Sequence, residues 1–219
     1  MQSLSDSQIC SAGLVLLGQN TIADISDTSL PNAVKCNSAY VGQRDALLRS
    51  YDWNFARMRA QLQQGPVPAF GWLYAFAVPD KFLAAREVNG NVYPWVVEGP
   101  FILTNGPAGD TVGGSPNWDP RDITTIATNP PNVSTAFVCN LIYTAQIVET
   151  GMFDPLFADL LAIRIASVLA MSILKAAAKS REMWALYEQR LGEAKRTDGN
   201  EGLPDRRPKR SDYSWIGAR

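Results

Sequence analysis

The apolar period changes twice along this chain, from helical to alternating and back to helical. The N-terminal stretch SLSDSQICSAGLVLLG and the stretch 154–195 both read as helix. Between them the sequence is rich in aromatics, alternates with period two and is punctuated by Pro and Gly. A chain that leaves a helical core, builds a sheet and returns offers partners two separate faces, which suits a connector better than a catalyst. The expected fold class is therefore α+β: an antiparallel helical bundle from both chain ends, an inserted antiparallel β module and an extended C-terminal arm. The expected divisions are 1–56 for the first half of the bundle, 57–151 for the β module with a long loop at 105–133, 152–196 for the second half of the bundle, and 197–219 for the arm.

Composition sets the limits on function. A chain of 219 residues makes one domain or two small ones. It buries roughly 70% of its extended surface, so neither a disulfide nor a metal is needed as a staple. A hydrophobic fraction of 46% and a charged fraction of 19% are those of an ordinary globular protein. The net charge of -1 gives no global electrostatic case for nucleic acid or membrane binding. It weakly favours self-association.

The chain has no histidine. That removes the usual general base, the usual partner of a Ser or Cys nucleophile and the commonest zinc ligand. Cys10, Cys36 and Cys139 are far apart, form no CxxC pair and read as small buried hydrophobes of a reduced protein. No cofactor site is indicated. GDTVGG lacks the lysine and the strand–loop–helix frame of a phosphate loop. The N-terminus has no basic region before an apolar run, so no signal peptide is expected. The run 160–174 is interrupted by Arg164 and falls short of the roughly 20 apolar residues of a membrane span. It reads as a core helix.

Local signals place the elements. Ser5 and Gln8 make a capping box, and Gly18 is the expected stop. Ser29 is the expected cap of a second helix with Pro31 in its first turn, running to about Ser50. Ala33, Cys36, Tyr40, Leu47 and Tyr51 line one side of it, with Arg44 and Asp45 semi-buried among them. Trp53 and Phe55 then read as core anchors at a domain junction. From Arg57 the period becomes two through Met58, Ala60 and Leu62. Trp72, Tyr74 and Phe76 predict a strand covered on both faces. Phe82 and Leu83 fall in a short helical or irregular piece. The segment 86–88 is a strand, and Asn89-Gly90 predicts a hairpin with 93–98 as its partner. Further strands are expected at 101–104 and 136–148. The Gly- and Pro-rich stretch 105–133 is long for a loop and reads as functional or as a contact arm.

Asp154-Pro155 opens a long third helix, apolar nearly all round and therefore central. Arg164 on it is costly to bury alone, and Asp45 is the expected partner. Ser180 is the expected cap of a fourth helix, with Trp184, Tyr187 and Leu191 facing in and the pattern ending after Ala194. The remaining segment has no periodicity, yet carries Arg206, Arg207, Lys209 and Arg210 followed by Tyr213, Trp215 and Ile216. A basic cluster followed by large apolar side chains reads as a docking segment for a neighbour or partner, ordered on binding.

LSDSQICSAGLVLLGQNTIADISDTS, followed by NAVKCNSAYVGQRDALLRSYDWNFAR, resembles the tail tubular protein A family of short-tailed bacteriophages, the head-to-tail adaptors. FGWLYAFAVPDKFL is similar to that family's W-x-Y-x-[FY]-x-x-P-x-D segment, with the difference that Asp80 follows Pro79 directly. FDPLFADLLAIRIASVLAMSILK and YEQRLGEAKRTDGNEG resemble its C-terminal helices. The resemblance covers most of the chain except 105–133, which looks like an insertion. It implies a non-enzymatic homo-oligomeric ring of about twelve subunits, closed by heterologous contacts. The implied place is the head–tail junction of a virion, after synthesis in the host cytoplasm. Portal protein lies on one side and tail nozzle protein on the other, with viral DNA passing through the lumen without sequence-specific binding and no membrane involved. The expected partner-binding residues, toward portal or a neighbouring subunit, are Arg206, Arg207, Lys209, Arg210, Tyr213 and Trp215.

Two other classes remain on sequence grounds. A tail-associated glycan- or peptidoglycan-degrading enzyme would use paired carboxylates, with Glu98, Asp110, Asp119 and Asp122 as the available acids. Nothing in their spacing selects a pair. A nucleic-acid-binding accessory protein would need a contiguous basic face, which the folded part lacks.

Overall fold

A computed structural model describes residues 4–106 and 139–201. Among these residues are four α-helices and six strands in two three-stranded antiparallel sheets, an α+β fold. The stretch 107–138, with Asp110, Asp119, Asp122 and most of the expected loop, lies outside the described residues.

Helix α1 (Asp6–Leu16) starts as its sequence predicts. The Gln8 N–H donates to Ser5 Oγ at 3.3 Å, and the Ser5 N–H donates to Gln8 Oε1 at 2.8 Å. Gly18 donates to Val15 O at 2.9 Å, and its φ of +68° is the left-handed conformation that brings the following Gln19 N–H to Leu14 O at 3.0 Å. The linker is tied back to α1 by Ser11, which exchanges hydrogen bonds with both backbone groups of Ile22, and by Ser7, which accepts the Ile25 N–H.

Helix α2 (Pro31–Ser50) has Pro at its first turn as expected, but Leu30 is its N-cap and no side chain caps it. Ser29 is turned away: its N–H and its hydroxyl both donate to Asp27 Oδ1, at 2.8 and 2.6 Å. An Asx turn has taken the hydroxyl that the helix would have used. Ala33, Cys36, Tyr40 and Leu47 are buried on one side, together with Arg44.

Helix α3 (Pro155–Leu174) is capped by Asp154, whose Oδ1 accepts the Leu156 N–H at 2.8 Å. It is long and apolar enough to cross a membrane by length and composition, yet most of its apolar window is buried inside the protein. Helices α1 and α2 pack on it from the N-terminal part of the chain, and α4 (Ala177–Asn200) packs on it from the C-terminal side. Gly13 of α1 makes that approach close. A Cβ there would stand 2.8 Å from the Ala162 carbonyl oxygen of α3.

The turn from α3 to α4 is made at Lys175, with φ 52°, and α4 has Ala176 as N-cap. Ser180, the expected cap, sits inside the helix, where its hydroxyl donates to Ser167 O at 2.7 Å. The helix also outruns the apolar pattern that ends at Ala194, because Asp198 in its last turn is fixed by Asn54. The pattern cannot reveal an ending held by polar bonds.

One sheet orders its strands β1–β6–β3, with β1 (Arg57–Leu62), β3 (Phe82–Val88) and β6 (Cys139–Ala145). The other orders them β2–β5–β4, with β2 (Tyr74–Ala77), β4 (Trp95–Glu98) and β5 (Phe101–Thr104). Tyr74, Ala75 and Phe76 are all buried, so β2 is covered on both faces as its alternating large residues predict.

Two expectations in the sheets fail. Phe82 and Leu83 belong to β3, and the register shifts between Phe82 and Ala84 and between Ala85 and Glu87 hide its alternation. Asn89-Gly90 does not fold β3 back on β4. Strand β3 pairs with β6, whereas β4 pairs with β5 across the two-residue turn Gly99-Pro100. Asn89, Gly90 and Asn91 all have positive φ, and they carry the chain from one sheet to the other. Asn89 Oδ1 accepts the Asn140 N–H at 2.8 Å, and Asn91 Oδ1 accepts the Trp95 indole N–H at 2.9 Å.

The helices and the first sheet are joined by aromatic packing and by charge. Trp53 is fully buried, with ring centroids 5.1 Å from Tyr51 and 5.3 Å from Phe157, both edge-on. Phe55 and Phe153 complete the cluster around Phe157, at 4.9 and 5.0 Å. Trp53 and Phe55 are thus core anchors, as the sequence predicts. Arg86 on β3 donates to the backbone oxygens of Arg49 and Tyr51 at 3.1 and 2.6 Å, and to Thr144 Oγ1 at 2.7 Å. A cation placed on the last carbonyls of α2 favours the negative end of its dipole.

Candidate functional site

The six expected contact residues Arg206, Arg207, Lys209, Arg210, Tyr213 and Trp215 lie outside the described residues. The last described element before them is α4, and its end is held by polar bonds. Asp198 is 8% exposed; it accepts the Asn54 backbone N–H at 3.1 Å, and the Asn54 side-chain amide donates to its backbone oxygen at 2.6 Å. Burial pushes its carboxyl above the usual range, against the opposing pull of the Asn54 bond. The Tyr51 hydroxyl adds a bond to Lys195 O at 3.2 Å.

Three exposed apolar side chains meet along the seam of α3 and α4. Val168 and Met171 on α3 are 43% and 51% exposed, and Trp184 on α4 is 42% exposed. With Ser167, Ser180, Arg181, Ala185 and Glu188 they wall a shallow groove of about 420 Å³. Trp184 was expected to face in. It lies outward, its indole N–H donating to Glu188 Oε1 at 2.9 Å, while Met183 and Tyr187 take the buried positions beside it. An indole satisfied by an acid one turn away tolerates that exposure.

Arg164 sits at this seam, and Asp45 is not its partner. Its Nε donates to Gln43 Oε1 at 2.8 Å and its Nη1 to the Tyr187 hydroxyl at 3.0 Å. The guanidinium lies over the Trp184 and Tyr187 rings, 5.7 and 5.4 Å from their centroids. Asp45 is engaged elsewhere: Arg44 binds it at 2.9 Å and the Gln146 side-chain amide donates to it at 2.6 Å. Among the described residues, no carboxylate lies within ion-pair distance of Arg164. Two neutral acceptors and two aromatic faces are enough because Arg164 is only half-buried.

A second apolar surface lies on the β2–β5–β4 sheet. The loop 66–72 leaves Val67 and Phe70 75% and 88% exposed over a groove of about 380 Å³ that reaches Glu98, Phe101 and Leu103. The alternating pattern that marks the strands on either side does not reveal it. The signal was present: an aromatic bracketed by Pro and Gly belongs to a loop that cannot bury it in a regular element.

Glu98, the one described member of the candidate acids, is an exposed residue at the end of β4. Among the described residues no three His, Cys, Asp or Glu side chains are grouped to hold a metal ion. The cysteines are free and fully buried. The hydrogen bond with Cys36 and burial hold the Cys10 thiol far above its usual range, the same bond pulls Cys36 down, and burial raises Cys139 to about 11. All three are closed off from solvent and pack as small hydrophobes. Tyr40 is raised in the same sense by burial and by the hydrogen bond it donates to Asp6 at 2.9 Å.

No protein-family model matches this chain, and no curated protein is a significant match to it.

Proposed function

We propose that this chain is a structural head-to-tail adaptor of a bacteriophage virion. In this reading the helices from both chain ends form one antiparallel bundle, the sheets form an inserted module, and the C-terminal arm reaches across an interface. Copies associate by heterologous contacts into a closed ring of about twelve subunits, with DNA passing through the lumen. The helical layer and the arm engage portal protein or a neighbouring copy through Arg206, Arg207, Lys209, Arg210, Tyr213 and Trp215. The β module meets the tail nozzle or the next subunit. The protein acts without catalysis or cofactor.

The observation that carries this reading is the shared support of α3. Helices from opposite ends of the sequence pack on it, which supports a single helical layer with the sheets inserted between its two halves. Exposed apolar surface on both parts, at Val168, Met171 and Trp184 and at Val67 and Phe70, supports two separate contacts.

The test is binding of the full-length chain to purified portal protein, followed by size and by electron microscopy. Reversal of Arg206, Arg207, Lys209 and Arg210 to Glu is expected to leave the fold intact and abolish binding. Unchanged portal binding together with unchanged self-association by that variant would reject the assignment of the arm.

A further inference from the structure

The groove on α3 and α4 combines three things that rarely occur together on a free surface. It exposes two aliphatic side chains and a Trp, it is concave, and at the seam beside it stands a cation without a carboxylate partner among the described residues. A matching occupant needs a large apolar side chain or two, and an acid a short distance before them. Residues 212–216 of this chain, Asp-Tyr-Ser-Trp-Ile, have that order.

We propose that this groove receives residues 212–216 of a neighbouring copy of the chain. Trp215 and Ile216 fill the space between Val168, Met171 and Trp184. Asp212 supplies the carboxylate that Arg164 lacks, with Arg181 at the rim. The preceding basic run 206–210 passes the exposed acids Glu182 and Glu188 on α4. A carboxylate arriving at a guanidinium already fixed by Gln43, Tyr187 and two rings forms a charge-assisted bond with little further ordering.

Length allows the contact. From Asn200 back to Trp184 is about 24 Å along α4 at 1.5 Å per residue. The residues from 201 to 219 span up to roughly 60 Å when extended. That length is enough to reach past a layer of helices each about 10 Å across. The choice of a neighbour's groove over the chain's own rests on the ring reading. A closed ring needs two different surfaces on each copy that fit one another, and the groove and the arm are such a pair.

The experiment uses the full chain in two forms. One carries Met171→Lys in the groove; the other carries Trp215→Ser and Ile216→Ser in the arm. Met171 is exposed, so its replacement spares the core, and circular dichroism and melting check both proteins. Val168→Lys serves as an independent groove variant. By sedimentation velocity, each variant alone is expected to self-associate at least about tenfold more weakly than the wild type, the loss typical of one buried anchor. Mixed, they are expected to form a 1:1 heterodimer and nothing larger, because one intact groove and one intact arm remain. Variants that associate like the wild type, or a mixture that stays monomeric, overturn the proposal. If the wild type closes rings and both variants do too, the groove assignment falls while the ring reading stands. If the wild type never closes a ring even with portal present, the ring reading falls, and heterodimer formation still decides the groove contact.

Discussion

Asp198 and Asn54 bind each other twice. The Asp198 carboxylate accepts the Asn54 backbone N–H at 3.1 Å, while the Asn54 side-chain amide donates to the Asp198 backbone oxygen at 2.6 Å. The pair joins the residue just after buried Trp53 to the last turn of α4, 144 positions later. It holds the last turn of α4 against the segment that leads into β1.

The pair gives the fold a pH dependence of defined sign. Burial raises the folded-state pKa of Asp198 above the unfolded value of about 3.9. The folded state then holds the proton more tightly, so this group's contribution is complete below the unfolded pKa and is lost as pH rises through the folded pKa. Asp198→Asn keeps an oxygen for the Asn54 N–H and removes the titration. Urea unfolding is expected to show that variant at least as stable as the wild type near pH 7, with a flatter profile between pH 4 and 7. Asp198→Ala leaves the Asn54 N–H without its acceptor and is expected to cost about 1–3 kcal/mol.

Gly13→Ala tests the contact between the two ends of the chain. The added methyl meets the Ala162 carbonyl oxygen, a backbone atom that has no side chain to swing away. Helix propensity alone would favour Ala by about 1 kcal/mol. Overpacking is expected to outweigh it, with a net destabilisation of about 1–2 kcal/mol in thermal or urea unfolding. A stabilised variant would mean that α1 and α3 do not approach as described.

Arg86→Gln tests the join between α2 and the first sheet. The variant loses the cation on the Arg49 and Tyr51 carbonyls and the bond to Thr144. Expected is a loss of about 2 kcal/mol, of the size of one or two charge-assisted hydrogen bonds. Amide exchange should quicken first in the last turn of α2, with the α1–α3 contact unaffected.

The helices were legible to the extent that their ends were written in local chemistry. Ser5, Gln8, Gly18, Pro31 and Asp154 all act as their spacing predicts. The misses occur where a distant group overrode the local signal. Ser29 is claimed by Asp27, Ser180 by the Ser167 carbonyl, and the end of α4 by Asn54. Asn89-Gly90 has the predicted positive φ, but β6, some fifty positions on, pairs with β3 and leaves β4 to β5. Arg164 needs partners, as its place on a central helix predicts, but hydrogen bonds and ring faces suffice where the sequence suggests an ion pair with Asp45. At the candidate surfaces, Met171 and Trp184 fit an inward-facing pattern, and only the packing of α4 on α3 shows them exposed.

Phe70→Ser separates folding from assembly. The ring is 88% exposed, so unfolding free energy is expected to change by less than about 0.5 kcal/mol. Binding to tail nozzle protein, or to the next copy, is expected to weaken at least about tenfold in a titration.

The most direct measurement is the mass and shape of the full-length protein at the portal, by native mass spectrometry and electron microscopy of the mixture. The account predicts a closed ring of about twelve copies seated on the portal with an open central channel. A chain that remains monomeric in the presence of portal, or that binds it without forming a ring, would contradict it.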